Sequence, residues 1–275
     1  MLCSFNNGSL RNCGNVVNNN KVCNRKKMVS KKLHEKHQVF GNTQILPGKV
    51  RQLRKYLLET CTSSAKFLGN LKFYTMILVG INLFLRSDEL LNLKIEDIRK
   101  EFTPVSPIGG VKGLIFKVKG KSDITEIHLV LWASDKYPEL CPVRHLLVYL
   151  YLSGFKSGFL FPKQDNYREG EESVRFDYPS YLKQLKYYVQ VVLNRESTEH
   201  TYGTHVLRKS GYLFAIFGLL YQYGVERDCH GMPTLQYLSS AQILKGARHK
   251  TIGNAATYYM KDAFTLYDLK EASVA

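Results

Sequence analysis

The sequence predicts a mainly helical domain with a small antiparallel β-sheet, an α+β fold class. Apolar residues recur at helical spacing over most of the chain from Pro47 onward, but between Gly113 and Leu131 the period changes to that of paired strands. The 275 residues are 44% hydrophobic and 12% aromatic, which is enough apolar surface for a real core. These observations exclude a chain that is disordered throughout.

The predicted elements begin at Pro47, which suits the first turn of a helix. A second, mostly apolar helix is expected at 68–85, and a short third helix at 88–93 with Ser87 as its N-cap. The remaining predicted elements are the hairpin strands 114–119 and 124–131, a helix at 141–153, an extended segment at 159–162, and helices at 180–193, 204–217, 235–246 and 252–269.

Residues 1–46 differ in composition from the rest of the chain. They are rich in Asn and carry eight Lys or Arg against one acid, a charge of +7 out of a formal net charge of +16. Periodic apolar residues are scarce there, so we expect a mostly disordered basic tail ahead of one domain at 47–275. The basic stretch at 25–32 suits phosphate contacts, a nuclear import signal or a plain solubilising tail.

The charge balance bounds the class of partner. The chain has 39 Lys and Arg against 23 Asp and Glu, which favours a polyanion, with nucleic acid first. The longest uncharged apolar runs, 75–85 and 211–224, fall short of the roughly 20 residues that a membrane-spanning helix needs. No secretory leader is recognisable, so neither a membrane partner nor secretion is expected.

Cysteine and histidine spacing predicts no metal site. The six cysteines form no Cys-x-x-Cys pair, so free thiols in a reducing compartment are expected. His34 and His37 are three residues apart, whereas a zinc-protease helix needs histidines four apart. The cluster at 228–230 has no second pair of ligands at metal spacing.

Four separated pieces of sequence carry reactive side chains. They are Arg86 with Glu89 at the start of a helix, Lys119 and Lys121 at the tip of the hairpin, His205 with Arg208 on one helix face, and Arg248-His249-Lys250 followed by Tyr258. Each piece alone has an ordinary structural interpretation, such as a surface i,i+3 ion pair for Arg86 and Glu89. Their combination and order favour a shared site.

In that order the sequence resembles the catalytic domain of tyrosine recombinases of the phage-integrase type. That domain has an Arg with a Glu three residues on, a hairpin Lys, His-x-x-Arg, a second His or Trp, and a nucleophilic Tyr nine residues later. The resemblance covers about residues 45–270 and includes residues 83–98 and Gly211. Arg248 stands where the family usually has Gly. The helical core-binding domain that precedes the family's catalytic domain is expected to be absent, because 46 Asn-rich residues cannot form it.

The resemblance implies a fold, the tyrosine recombinase catalytic-domain fold, and an activity. The implied enzyme is a site-specific DNA recombinase or integrase that cleaves and rejoins DNA through a 3′-phosphotyrosyl intermediate, without metal, ATP or other cofactor. Tyr258 is the implied nucleophile. Tyr259 is adjacent, but only Tyr258 keeps the nine-residue interval from His249.

The family's chemistry also implies a role for each remaining side chain. Arg86 and Arg208 meet the non-bridging oxygens with bidentate forks and stabilise the transition state. Lys119 protonates the leaving 5′ oxygen, with Lys121 as the alternative acid. The other implied roles are proton acceptor or phosphate ligand for His205, oxygen ligand for His249, and orientation of the site for Glu89.

The implied partner is double-stranded DNA, bound inside the cell and in the nucleus if the cell is eukaryotic. The expected DNA contacts outside the reacting groups are Lys121, Lys209, Arg248 and Lys250. Residues 261–269 resemble the family's C-terminal helix that docks on a neighbouring protomer, which implies a homo-oligomer, a dimer or tetramer, on DNA; a core helix of the same chain is the other interpretation.

Two alternatives to a recombinase stay open at this point. One is a catalytically inactive, domesticated DNA-binding protein of the same fold. The other is an enzyme like the type IB topoisomerases, which relaxes DNA by the same chemistry.

Overall fold

The structure is a computed structural model. The described residues are 44–59, 61, 63–98, 113–119, 126–168, 172–193, 203, 205–216, 219–227, 229, 233–239 and 243. All of them belong to one compact unit, Asn42–Ala275. Ile45, just ahead of the predicted domain start, is already fully buried. Residues 1–43 of the predicted tail lie outside the described residues.

The described part of the chain is mainly helical. Its α-helices are α1 (Pro47–Arg54), α2 (Ser64–Asn82), α3 (Ser87–Leu91), α4 (Pro142–Ser153), α5 (Tyr178–Leu193) and α6 (Val206–Ile216). Its strands are β1 (Gly113–Val118), β2 (Ile127–Trp132), β3 (Tyr221–Arg227) and β4 (Pro233–Tyr237). The predicted fold class, mainly α with a small antiparallel sheet, is confirmed. None of the described helices is long and apolar enough to span a bilayer.

Helix α2 is the centre of the core. Side chains on all its faces are buried between Leu71 and Ile81, as expected for a helix that is apolar all round. It packs against α4 and α6, and α5 packs against α1. The predicted helix at 68–85 is therefore correct in kind, although it starts at Ser64 and ends at Asn82.

The predicted hairpin is confirmed in its strands. β1 and β2 are antiparallel, with Gly113 opposite Trp132 and Val118 opposite Ile127. Phe116 and Leu131 turn into the core. The tip of the hairpin, residues 120–125, lies outside the described residues.

A second two-stranded sheet was not predicted. β3 and β4 pair antiparallel, with Tyr221 opposite Tyr237 and an irregularity between Tyr223 and Arg227. The helix predicted at 235–246 is thus wrong at its start, because Leu235 lies in β4, although Ile243 is helical. In β3, Tyr221 and Tyr223 flank Gln222 with the period of two that is typical of a strand, but three residues are too few to identify one.

A buried lysine on α2 holds the segment at 162–165. The Lys72 ammonium donates to the carbonyl oxygens of Pro162 (3.0 Å), Lys163 (3.3 Å) and Gln164 (3.2 Å). It also pairs with an Asp165 carboxylate oxygen at 2.6 Å. Burial lowers the pKa of Lys72, and the bond and charge of Asp165 oppose that shift.

Candidate active site

The turn between α2 and α3 has the hydrogen bonds of a Schellman motif. The Phe84 N–H donates to the Ile81 carbonyl (3.2 Å), and the Leu85 N–H donates to the Gly80 carbonyl (2.9 Å). Phe84 has a φ of +51°, in the left-handed region where glycine is the usual residue. The turn ends at Arg86, which becomes the N-cap of α3.

Glu89 caps α3 from its third position. One of its carboxylate oxygens, Oε2, accepts the Arg86 N–H at 2.8 Å. The prediction that Ser87 is the N-cap is wrong. Ser87 is the first residue of the helix, and the N-cap is Arg86. A carboxylate three residues after the N-cap can reach back to that residue's N–H, as in a capping box.

The same carboxylate holds two arginines that are far apart in sequence. The Arg208 Nη2 donates to Glu89 Oε2 at 2.9 Å, and the Arg86 Nη1 lies 3.6 Å from Glu89 Oε1. The side chains of Arg208 and Glu89 are 1% and 2% exposed, whereas that of Arg86 is 32% exposed. Arg86 and Glu89 are therefore not a surface ion pair; they belong to a cluster of three charged side chains.

A backbone carbonyl fixes the other part of the Arg208 guanidinium. Arg208 Nε donates to the Phe84 carbonyl at 2.7 Å, within the buried interior. The two acceptors, Phe84 and Glu89, lie five residues apart on either side of Arg86. The turn from α2 to α3 thus sets both the position and the plane of the Arg208 fork.

Helix α6 brings Arg208 to this turn because it packs very close to α2. A Cβ on Gly211 would lie only 2.5 Å from the Ile81 carbonyl oxygen, and a Cβ on Gly80 would lie 2.5 Å from the Leu207 Cδ1. Ser210 also ties α6 to the chain ahead of α1, since its Oγ accepts the Ile45 N–H at 2.8 Å.

His205 lies immediately before α6, at the helix entrance and not within the helix as predicted. Its carbonyl accepts the Lys209 N–H at 2.9 Å, and its side chain is partly buried. Burial lowers the pKa of the His205 imidazole, and the positive charges of Arg86 and Arg208 lower it further, while Asp88 opposes them. The imidazole is therefore neutral near pH 7, where it can accept a proton.

Two more of the predicted site residues, Lys119 and Lys209, are among the described residues. Lys119 follows β1 and its side chain is exposed. Lys209, predicted to contact DNA, is 8% exposed in α6. The predicted residues that lie outside the described residues are Lys121, Arg248, His249, Lys250 and Tyr258.

Sequence reasoning missed two contributors to the cluster. Phe84 contributes its backbone carbonyl, which no side-chain pattern reveals, and a Phe gives no signal for a left-handed turn position. Asp88 acts through its charge on His205; its place beside Arg86 and Glu89 in the sequence was the available signal.

The arrangement is suited to an oxyanion with several oxygens. The partly exposed Arg86 guanidinium offers a forked donor of the geometry that matches phosphate oxygens. The buried Arg208 adds its positive charge at the same carboxylate, and a neutral imidazole lies close enough to be affected by both arginines. Across the part of the chain that the structure describes, no three His, Cys, Asp or Glu side chains are grouped so that they could hold a metal ion.

Solved structures similar to this chain include two of the XerH site-specific recombinase. One, a post-cleavage complex bound to palindromic difH substrate, is 18% identical over 82% of this chain and 51% of that chain, with a TM-score of 0.48. The other, a pre-cleavage complex bound to difH substrate, is 17% identical over 83% of this chain and 54% of that chain, also with a TM-score of 0.48. The chain thus spans about half the length of the XerH chains it matches. No protein-family model and no curated protein matches the chain.

Proposed function

We propose that the chain is a DNA strand-transfer enzyme of the tyrosine recombinase class, which cleaves and rejoins duplex DNA through Tyr258. The observation that carries the proposal is the buried Glu89 carboxylate, which binds Arg208 and lies 3.6 Å from the Arg86 guanidinium. This carboxylate joins two arginines separated by 122 residues of sequence, 86 to 208, and both affect the His205 pKa, which supports a shared anion-binding site.

The proposed reaction is an in-line displacement at one phosphodiester. The Tyr258 oxygen attacks phosphorus, the bond to the 5′ oxygen breaks, and a 3′-phosphotyrosyl link forms. His205 accepts the phenol proton, which is needed because an ordinary Tyr has a pKa of about 10. Lys119 gives a proton to the leaving 5′ oxygen. The two arginines neutralise the charge that grows on the non-bridging oxygens.

Rejoining is the reverse displacement. A 5′ hydroxyl attacks the phosphotyrosyl link, Tyr258 leaves and regains a proton, and the bond energy is conserved. A different 5′ end at this step gives strand exchange, whereas the original end gives relaxation. The proposal selects strand exchange, in keeping with the sequence resemblance.

The direct test is covalent capture on a nicked suicide duplex, from which the cleaved 5′ fragment diffuses away. We expect a protein–DNA adduct that withstands denaturation, maps to Tyr258, and disappears in Tyr258→Phe. Tyr259→Phe is the matched control, since it removes the adjacent hydroxyl, and it should still form the adduct. Binding of the same duplex by both variants would show that the loss is chemical.

Three other outcomes of this experiment would contradict parts of the proposal. No adduct on DNA that the protein binds would overturn the catalytic proposal and favour the inactive DNA-binding protein. Loss of the adduct in Tyr259→Phe instead would show that the nucleophile is misassigned. An adduct with relaxation of supercoiled DNA but no strand exchange would favour the topoisomerase-like activity.

The pH dependence of adduct formation tests the role of His205. We expect the second-order rate constant to fall in acid with a midpoint below pH 6.5, the ordinary imidazole pKa, because burial and the charges of Arg86 and Arg208 lower the His205 pKa. His205→Gln, measured over the same range, should be slower and should lack this acidic limb. An acidic limb centred above pH 6.5, or one that persists in His205→Gln, would contradict the assignment.

A further inference from the structure

We propose that Phe84 is a positioning residue for Arg208, through its left-handed backbone and not through its ring. The inference deepens the proposed function and rests on it for the catalytic meaning of Arg208. It concerns the turn between α2 and α3, where a residue with a positive φ presents its carbonyl to a buried guanidinium.

The conformation of Phe84 is set by the end of α2. Its N–H is bonded to the Ile81 carbonyl, and the next N–H, of Leu85, is bonded to the Gly80 carbonyl. These two bonds require a left-handed residue between helix end and exit chain, at the position that glycine usually fills. Because φ sets the direction in which the chain leaves the helix, the same bonds decide where the Phe84 carbonyl points.

The Phe84 carbonyl accepts a hydrogen bond from Arg208 Nε, and this bond limits rotation of the guanidinium. Nε is the guanidinium nitrogen nearest the aliphatic stem, and its 2.7 Å bond to Phe84 holds the stem side of the fork. The 2.9 Å bond from Nη2 to Glu89 holds the outer side. Two acceptors on one planar group fix its plane, so loss of the Phe84 bond would let the fork swing about the Glu89 contact.

The ring of Phe84 has a separate part, which is packing. It is buried against Tyr212, with ring centroids 5.5 Å apart in an edge-to-face arrangement. Gly211 leaves space for it, since a Cβ there would lie 2.9 Å from the Phe84 Cδ1. Ring and backbone can therefore be separated by substitution: glycine removes the ring and permits the positive φ, whereas valine keeps apolar bulk and strongly disfavours that φ.

The experiment compares Phe84→Gly with Phe84→Val in the full-length chain. We expect Phe84→Gly to melt at a lower temperature than the wild type yet to form the suicide-substrate adduct at close to the wild-type rate, below its melting temperature. Phe84→Val should keep its affinity for DNA and lose about 100-fold in the rate of adduct formation, as expected for a reacting group displaced by about 1 Å. Phe84→Asn, which tolerates the left-handed region, should behave like the glycine variant. If Phe84→Val does not fold, Phe84→Ala takes its place in the comparison.

A second measurement does not depend on activity. In protein labelled with 15N at arginine, the Arg208 Nε–H should be protected from exchange in the wild type and in Phe84→Gly, and exposed to it in Phe84→Val; Arg208→Lys assigns the resonance. Rates that follow apolar size or melting temperature, with Val above Gly, would overturn the inference, as would Arg208 protection that is equal in the two variants. Failure of the wild type itself to form an adduct would overturn the proposed function, and the exchange measurement would still decide the role of Phe84.

Discussion

Replacing Glu89 with Ala is expected to lower the free energy of unfolding by about 3–5 kcal/mol, because it leaves the buried Arg208 guanidinium without its counter-charge. Both partners are almost fully buried, at 2% and 1% exposed, so water does not compensate the lost contact. The change also removes the carboxylate that accepts the Arg86 N–H. Adduct formation should fall at least ~100-fold, since both arginines lose their placement at once.

Chemical denaturation of the purified variants measures the stability effect. Glu89→Gln separates shape from charge: its amide oxygen can still accept both bonds, so we expect a smaller loss than in Glu89→Ala. The matched control is Glu59→Ala, which breaks an exposed Arg54–Glu59 pair of 2.7 Å and should cost less than ~1 kcal/mol. Equal losses for Glu89→Ala and Glu59→Ala would show that the buried cluster does not have the energetic role assigned to it.

Gly211→Ala is expected to destabilise the fold by about 1–3 kcal/mol or more, because the new methyl group would overpack the contact between α6 and α2. The Cβ would lie 2.5 Å from the Ile81 carbonyl oxygen, which is backbone and cannot move aside as a side-chain end can. Relief requires α6 to shift. Arg208, one turn earlier in α6, would then be carried away from the Phe84 carbonyl, and the rate of adduct formation should fall with stability.

Two other glycines provide graded controls for this prediction. At Gly80 the added Cβ meets the Leu207 Cδ1 at 2.5 Å, the end of a flexible side chain, so Gly80→Ala should cost less than Gly211→Ala. At Gly48, in α1, nothing lies within 4 Å, so Gly48→Ala should be neutral or stabilise by ~0.4–1 kcal/mol. Thermal and chemical unfolding should show the largest loss of stability for Gly211→Ala, a smaller loss for Gly80→Ala and no loss for Gly48→Ala. A Gly211→Ala variant as stable as Gly48→Ala would contradict the close approach of the two helices.

Local periodicity was sufficient to predict the main elements, but not their ends. The apolar run of α2 and the change of period at β1 are local signals, and both elements are present in the structure. The end of α2 is different. Leu83 and Leu85 continue its apolar composition, and only the hydrogen bonds of the turn and the left-handed Phe84 stop the helix three residues early. Those bonds depend on the direction in which the chain leaves the helix, and amino-acid composition does not encode that direction.

For the candidate site, too, the sequence was sufficient for the residue types but not for their arrangement. Arg86, Glu89, His205 and Arg208 belong to the ordered set that carried the resemblance, together with Lys119, His249 and Tyr258, so their residue types could be identified without coordinates. The geometry could not, because the contact between Glu89 and Arg208 spans 119 positions and depends on the close packing of α6 on α2. A carboxylate three residues after an arginine also fits a surface ion pair, and burial alone distinguishes the two.

The β3–β4 sheet shows why short strands are missed. Its strands have seven and five residues, and one is interrupted by an irregularity in the pairing. Over so few residues, alternating aromatic and polar side chains do not distinguish a strand from part of a helix. Leu235 fits an apolar position in either element. Pairing between β3 and β4 is a tertiary contact, and it determines that these residues form strands.

Lys72 has a consequence for the way the molecule responds to its ionic surroundings. Three carbonyl oxygens and a carboxylate oxygen converge on its ammonium group, an oxygen-lined pocket of the kind that elsewhere holds a dissolved cation. Here the cation is covalently tethered to α2. Helix α2 therefore supplies the cation for the segment at 162–165, and the conformation of that segment should be the same in sodium, potassium or lithium buffers of equal ionic strength.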